Sequence, residues 1–213
     1  MKNTTELGTI AIFPSMSFPP LLFFAYLVKK TGVMLEACEN YQKRSLRNRF
    51  FITGPNSLQS LSIPLVGGKN NNCPIQEVRI SFDEKWQLEH LKTIKNAYRK
   101  SAFFDYYIDE LAHILTHPGD SLWQFNWNCL EFCLRALNIN STAVLSDTYK
   151  QAYAGPDFRK AKISDFCIAT EHLYSSLYQN VRGNGTKPIS ILDLLFCMGP
   201  EGKIILRQIE TDQ

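Results

Sequence analysis

The apolar positions of this chain change period along its length, from strand-like alternation in the first part to helical spacing in the second. Thr9-Ile10-Ala11-Ile12-Phe13 is a β-favouring run stopped by Pro14. The following serine- and proline-rich loop feeds a helix from about Pro20 to Lys30, with proline in the first turn, where a missing N–H costs little. Apolar residues surround nearly all of that helix, which predicts burial on every side. Gly32 ends it, and Val33-Met34-Leu35-Glu36 reads as a second strand. Strand, helix and strand in this order open a parallel α/β sheet. Leu58 to Val66 and Val78 to Phe82 are predicted as two further strands, paired as a hairpin through the polar tip Gly67-Gly68-Lys69-Asn70-Asn71-Asn72.

From Asp83 the spacing becomes helical. Leu88, Leu91, Ile94 and Tyr98 mark the inner face of a helix ending near Lys100. A second helix, Phe103 to Thr116, turns Phe104, Tyr107, Ile108, Leu111, Ile114 and Leu115 inward, and His117-Pro118-Gly119-Asp120 breaks it. A third begins after Ser121 and stacks Leu122, Phe125, Cys129, Phe132, Cys133 and Ala136 on one stripe. Thr142 to Leu145 is a further strand; residues 146–187 have weak periodicity and are expected to be irregular with short helices. Ser190-Ile191-Leu192-Asp193 fits a capping box opening the helix Ile191 to Cys197, and Ile204 to Ile209 alternates as a terminal strand. The expected fold is α/β: a mixed, mostly parallel sheet flanked by helices, with a helical C-terminal half, in one domain over residues 1–213.

Composition agrees with a folded chain, since 45% of the 213 residues are hydrophobic and 20% charged. The most apolar stretch, Phe18 to Val28, is too short for the roughly 20 residues that cross a bilayer. No export signal is visible, and the six cysteines lack a CxxC, so reduced core thiols in a cytoplasmic protein are expected. The net charge of +3 is too small to predict nucleic-acid binding, so any anion site must be local.

One segment is locally basic. Lys43, Arg44, Arg47 and Arg49 fall within seven residues, with Asn40, Gln42 and Asn48 among them and no acid after Glu39 before the next strand. Arginine forks make two-point contacts to phosphate or carboxylate, and amides orient sugar or peptide groups. Following the second strand, the segment belongs at the carboxyl edge of the sheet, where open α/β folds bind ligands. A solvated charged turn is the alternative. Glu36 and Glu39 are the nearest acids, each suited equally to general base or to charge partner.

His113 and His117, four residues apart, could face one metal, but no further ligand falls at suitable spacing, so no metal is expected. Ser146-Asp147-Thr148 follows the last sheet strand and could line its edge or cap a helix. Dinucleotide, P-loop, lipase and zinc-peptidase signatures are absent. The residues name no cofactor. The aromatics Trp86, Phe103, Phe104, Tyr106, Tyr107, Trp123, Phe125 and Trp127 could serve as core or as a partner surface.

Several blocks together resemble the WbqC-like protein family, in its short, Bacteroidetes-type form. They are Ile12-Phe13-Pro14 with the aromatic helix after it, Leu35 through Arg49, Leu61-Ser62-Ile63-Pro64-Leu65, Trp86 with His90, Tyr98 with Ser101-Ala102-Phe103-Phe104, Ser190 through Phe196, and Gly199-Pro200. The resemblance implies a role in building O-antigen and other surface polysaccharides, with transfer of an amino acid or acyl group to an amino sugar as the suggested chemistry. Many relatives carry His-Gln-Pro after the first strand, whereas this chain reads Phe13-Pro14-Ser15. A mechanism needing that histidine does not carry over, and His90, which matches a family histidine, becomes the leading proton-transfer candidate beside Glu36. The expected partner is a phosphate-bearing small-molecule substrate held by Asn40, Gln42, Lys43, Arg44, Arg47, Asn48 and Arg49. A non-catalytic anion-binding or assembly protein and a nucleotidyltransferase-like enzyme are the alternatives.

Overall fold

The computed structural model describes residues 10–29, 32–54, 57–67, 72–140, 143–168 and 188–211. β1 (Ala11–Pro14), α1 (Leu21–Val28) and β2 (Val33–Glu36) form the expected opening unit, and β1 and β2 pair in parallel with Pro14 opposite Glu36. Every residue of α1 from Leu21 to Leu27 is buried, as its all-round apolar surface requires. After β2 the chain makes the basic loop and a short 3₁₀ turn (Leu46–Asn48) capped by Ser45, then enters β3 (Arg49–Thr53).

β3 pairs antiparallel with β4 (Leu58–Ser62), so the hairpin lies one strand earlier than expected. Val78–Phe82 is not a strand. Its backbone is shared between two neighbours: Val66 donates to the Arg79 carbonyl and Ser81 to that of Pro64, while Ile80 donates to Asp120 and Leu122 to Val78. Each side supplies only an isolated bridge, Leu65 with Ile80 and Arg79 with Ser121, so no ladder forms. The expected tip at Gly68–Asn71 lies outside the described residues.

α2 (Trp86–Tyr98), α3 (Phe104–Thr116) and α4 (Leu122–Ala136) follow. The inner face of α2 is Trp86, His90, Ile94, Ala97 and Tyr98, and Leu88 is exposed. The face is rotated from the expected one because Trp86 and Tyr98 bury more apolar area than Leu88 and set the register. The stripes of α3 and α4 are as expected, except that Tyr107, Ile114 and Ala136 are only partly buried. β5 (Val144–Leu145) adds in parallel to β2, giving the order β1-β2-β5. The expected start of this strand at Thr142 and the later part of the irregular stretch, 169–187, lie outside the described residues.

α5 (Ile191–Met198) starts at Ser190, whose hydroxyl accepts from the Leu192 N–H. The Ser190 N–H donates to the Phe51 carbonyl, and Asp193 faces Thr53 and Tyr98, so the pattern caps the helix while joining it to β3. Gly199 follows with φ +55°, and a Cβ there would stand 2.5 Å from the Phe103 ring. The last element is α6 (Gly202–Gln208), a helix and not the expected strand. Gly202, Ile205, Leu206 and Ile209 are buried and Ile204 is exposed, which is helical spacing. The alternation of Ile204, Leu206 and Gln208 is incidental, and Gly202 lets the helix approach Leu194, 2.9 Å from the position of its absent Cβ. The α/β class and helical second half therefore hold, with the strands divided over a parallel sheet and a separate hairpin. No helix among the described residues is long and apolar enough to cross a membrane.

Candidate functional site

Four chain segments bring polar groups to the carboxyl edge of the parallel sheet. Beside β1, on the side away from β2, residues 156–158 run parallel: Ile12 donates to the Pro156 carbonyl and Phe158 to that of Ile12. This carries Asp157 and Arg159 to the edge reached by Ser15 after β1, Glu36 at the end of β2 and Ser146 after β5.

Glu36 is fully buried and saturated with donors. Its Oε1 accepts from the Cys38 N–H at 3.0 Å and the Ser146 hydroxyl at 2.5 Å. Its Oε2 accepts from Arg159 at 3.1 Å and, more loosely, from the Tyr153 hydroxyl at 3.4 Å. Arg159 is also buried and spends all its donors: on Asp157, on Glu36, and on the carbonyls of Lys150 and Gln151. The rings of Tyr149 and Tyr153 lie 4.6 and 4.7 Å from its guanidinium carbon. Burial works to raise the Asp157 carboxyl, but the hydrogen bonds of Arg159 outweigh it and hold that pKa below the ordinary value.

The second pair is Glu39 with Arg47. Arg47 Nε and Nη2 fork onto the carboxylate at 2.8 and 2.5 Å, and Nη2 also donates to the Arg159 carbonyl at 3.0 Å, joining the two pairs. Burial pushes the Glu39 carboxyl up in spite of that fork. The Arg47 carbonyl accepts from Asn126 at 2.9 Å; the Asn126 amide also donates to Ser15 and accepts from Ser17 at 2.5 Å. Asn48 is turned inward, donating to the Ile63 carbonyl and accepting from the Tyr41 hydroxyl.

The basic segment thus divides into a buried part and an open part. Arg47 and Asn48 are committed to internal partners, whereas Asn40, Lys43 and Arg44 are exposed and Gln42 is half-buried. Arg44 sits at φ +56°, in the left-handed region, at the tip of the turn. Arg49 is half-buried, and its Nε is enclosed without a hydrogen-bond partner. It lines a narrow cleft of about 10 Å³ with Ser17, Leu46, Phe50, Pro188 and Ser190. A guanidinium left unpaired beside a cleft is a ready anion contact.

His90 lies elsewhere. It is 6% exposed, packed edge-on against Phe50 and Trp86, and hydrogen-bonded to the Ser62 backbone, and its Nδ1 has no partner. Burial lowers its pKa to about 4. It shares no partner with Glu36 or Arg47. His113 and His117 stack on each other at the surface, 4.5 Å apart, and no metal-holding group of three or more ligands occurs among the described residues. The cysteines are free; Cys129 and Cys133 are core, as expected, but Cys38 is exposed.

Arg159, Asp157 and Tyr153 were not expected, because an aperiodic segment offers no face on which to place them. Asn126 had a readable signal: an amide beside Phe125 on the apolar stripe of α4 needs internal partners.

A parallel sheet with a polar, charge-paired carboxyl edge places the chain among open α/β proteins. A model of the WbqC-like protein family matches residues 15–175, most of the chain, and the protein belongs to that family. Comparisons with curated proteins and with solved structures give no match.

Proposed function

We propose that the protein is an enzyme of surface-polysaccharide biosynthesis, of the O-antigen type, that transfers an amino-acid or acyl group to the amine of an amino sugar on a phosphate-bearing substrate. The observation that carries the anion part of this reading is Arg49, whose guanidinium stands unpaired beside a cleft while Arg47 is consumed by Glu39. Lys43 and Arg44, exposed on the same loop, add positive charge, and Asn40 and Gln42 add amide contacts. Arg47 and Asn48 act indirectly, holding the loop against the sheet edge.

In the transfer, the substrate amine attacks the donor carbonyl, a C–N bond forms, the bond to the leaving group breaks, and the amine loses a proton. We assign that proton to Glu36 in preference to His90. Glu36 is itself fully buried, so the proton reaches it through the half-buried Tyr153 hydroxyl, which takes the amine's proton as it gives its own to the carboxylate. His90 is sealed behind Phe50 and Trp86.

A second reading, a non-catalytic anion-binding or assembly protein, draws support from the saturation of Glu36: every donor it accepts from also serves the fold. The two readings separate in a single-turnover assay on any nucleotide sugar and acyl donor that stabilise the protein in a thermal-shift screen. The enzyme reading expects Glu36→Gln to bind both and transfer at least about a hundredfold more slowly. Full transfer by Glu36→Gln removes Glu36 as the base, and binding without transfer in the wild type leaves the binder.

A further inference from the structure

A second, narrow cleft lies beside the sheet edge, lined by Ser15, Met16, Leu35, Trp123, Asn126 and Trp127, with an enclosed volume of about 10 Å³. It sits where β1 leaves the sheet, the crevice in which open parallel sheets take ligands. That volume holds one water-sized group, which suits a single hydroxyl of a ring lying outside it.

Its chemistry is mixed in a specific way. Trp123 and Trp127 are one helical turn apart on α4, so they share a face, and both are only partly buried. The third tryptophan, Trp86, is core and donates to the Ser81 carbonyl, whereas neither Trp123 nor Trp127 donates to any described residue. The polar side of the cleft is Ser15, which accepts from Asn126 at 3.0 Å and donates to no described residue, which leaves its O–H to a ligand. Asn126 also receives the Ser17 hydroxyl, and Ser17 lines the Arg49 cleft, so one hydrogen bond links the two clefts.

Flat aromatic faces beside hydroxyl-bonding groups match a pyranose ring, which has a C–H face and a polar rim. We propose that Trp123 and Trp127 form the platform on which the sugar ring of the substrate stacks, with Ser15 hydrogen-bonding one ring substituent. The inference rests on the amino-sugar reading above and gives that substrate two anchor points: the ring on the tryptophans and the phosphate on Arg49.

Protein labelled with 5-fluorotryptophan gives one fluorine signal for each of its three tryptophans, assigned with Trp123→Phe and Trp127→Phe. It is titrated separately with glucosamine, galactosamine and their methyl glycosides, and with glycerol and inorganic phosphate as controls. Saturable shifts of the Trp123 and Trp127 signals are expected with at least one hexosamine, with Trp86 unmoved and glycerol without effect. Trp127→Leu and Ser15→Ala are each expected to weaken that binding roughly three- to tenfold. Glycerol-like, non-saturating shifts for every hexosamine, or undiminished binding in both variants, overturn the proposal. The phosphate arm reads Arg49 alone, so a phosphate response without a sugar response rejects the platform and leaves the anion contact standing.

Discussion

Replacing His90 by Gln removes a titratable ring while retaining a donor at the position of Nε2 for the Ser62 carbonyl. The ring is 6% exposed, and burial lowers its pKa from 6.5 to about 4. Between those two values the unfolded chain binds the proton and the folded chain refuses it, so stability must fall as pH falls through this window. Above pH 6.5 both states are neutral and the contribution is complete; below about 4 both are charged and the loss levels off. A gap of about 2.5 units at 1.36 kcal/mol each amounts to roughly 3 kcal/mol. Urea denaturation of wild type and His90→Gln at pH 7, 5.5 and 4 isolates this term, because the carboxylates common to both proteins cancel in the difference. The wild type is expected to lose about 3 kcal/mol more than the variant between pH 7 and 4. Parallel pH profiles, or an imidazole that titrates near 6.5 in the folded protein by NMR, refute the claim that Phe50 and Trp86 seal the ring.

Arg47→Met leaves Glu39 buried without its fork and is expected to cost about 3–5 kcal/mol, most of it recovered in the double variant with Glu39→Met. Recovery in urea unfolding tests whether the pair is a matched unit, and an equal loss in the double variant argues against it. Gly199→Ala forces a Cβ into the Phe103 ring at a positive φ, and is expected to cost roughly 2–4 kcal/mol. Gly67→Ala has a positive φ but open space, and should cost only about 1 kcal/mol, so equal losses contradict the steric argument. Asp193→Leu leaves the Thr53 and Tyr98 hydroxyls to pair with each other at 3.3 Å, with one buried O–H lacking an acceptor, and is expected to lower the thermal midpoint by several degrees, at about 1–3 kcal/mol. An unchanged midpoint removes this cluster as the join between α5 and β3.

What was legible in the chain followed from periodicity and punctuation. The β1-α1-β2 unit could be read because proline, glycine and an all-apolar helix mark its limits, and its end at Glu36 located the edge on which the polar groups gather. Two elements misled for one reason: a short apolar run fits both periods until its neighbours are known. Val78–Phe82 alternates but finds partners for only one bridge on each side, and Ile204–Ile209 alternates but buries helically spaced positions, chiefly against α1. The basic segment was visible as charge, but charge does not reveal pairing. Glu39 lies eight residues before Arg47, whereas the Arg159 carbonyl that completes its donors lies 112 residues away. Only the fold separates Arg47, spent internally, from Arg49, left open.

Arg49 holds the phosphate of the sugar substrate in this reading, and calorimetric titration of UDP-glucosamine into wild type, Arg49→Ala and Arg44→Ala measures that contact. Loss of a charge-assisted contact of about 1.5–3 kcal/mol predicts roughly ten- to hundredfold weaker binding for Arg49→Ala. Exposed Arg44 should contribute no more than a few-fold. Equal affinities for wild type and Arg49→Ala, or no binding by the wild type of this nucleotide sugar or of inorganic pyrophosphate, contradict the account.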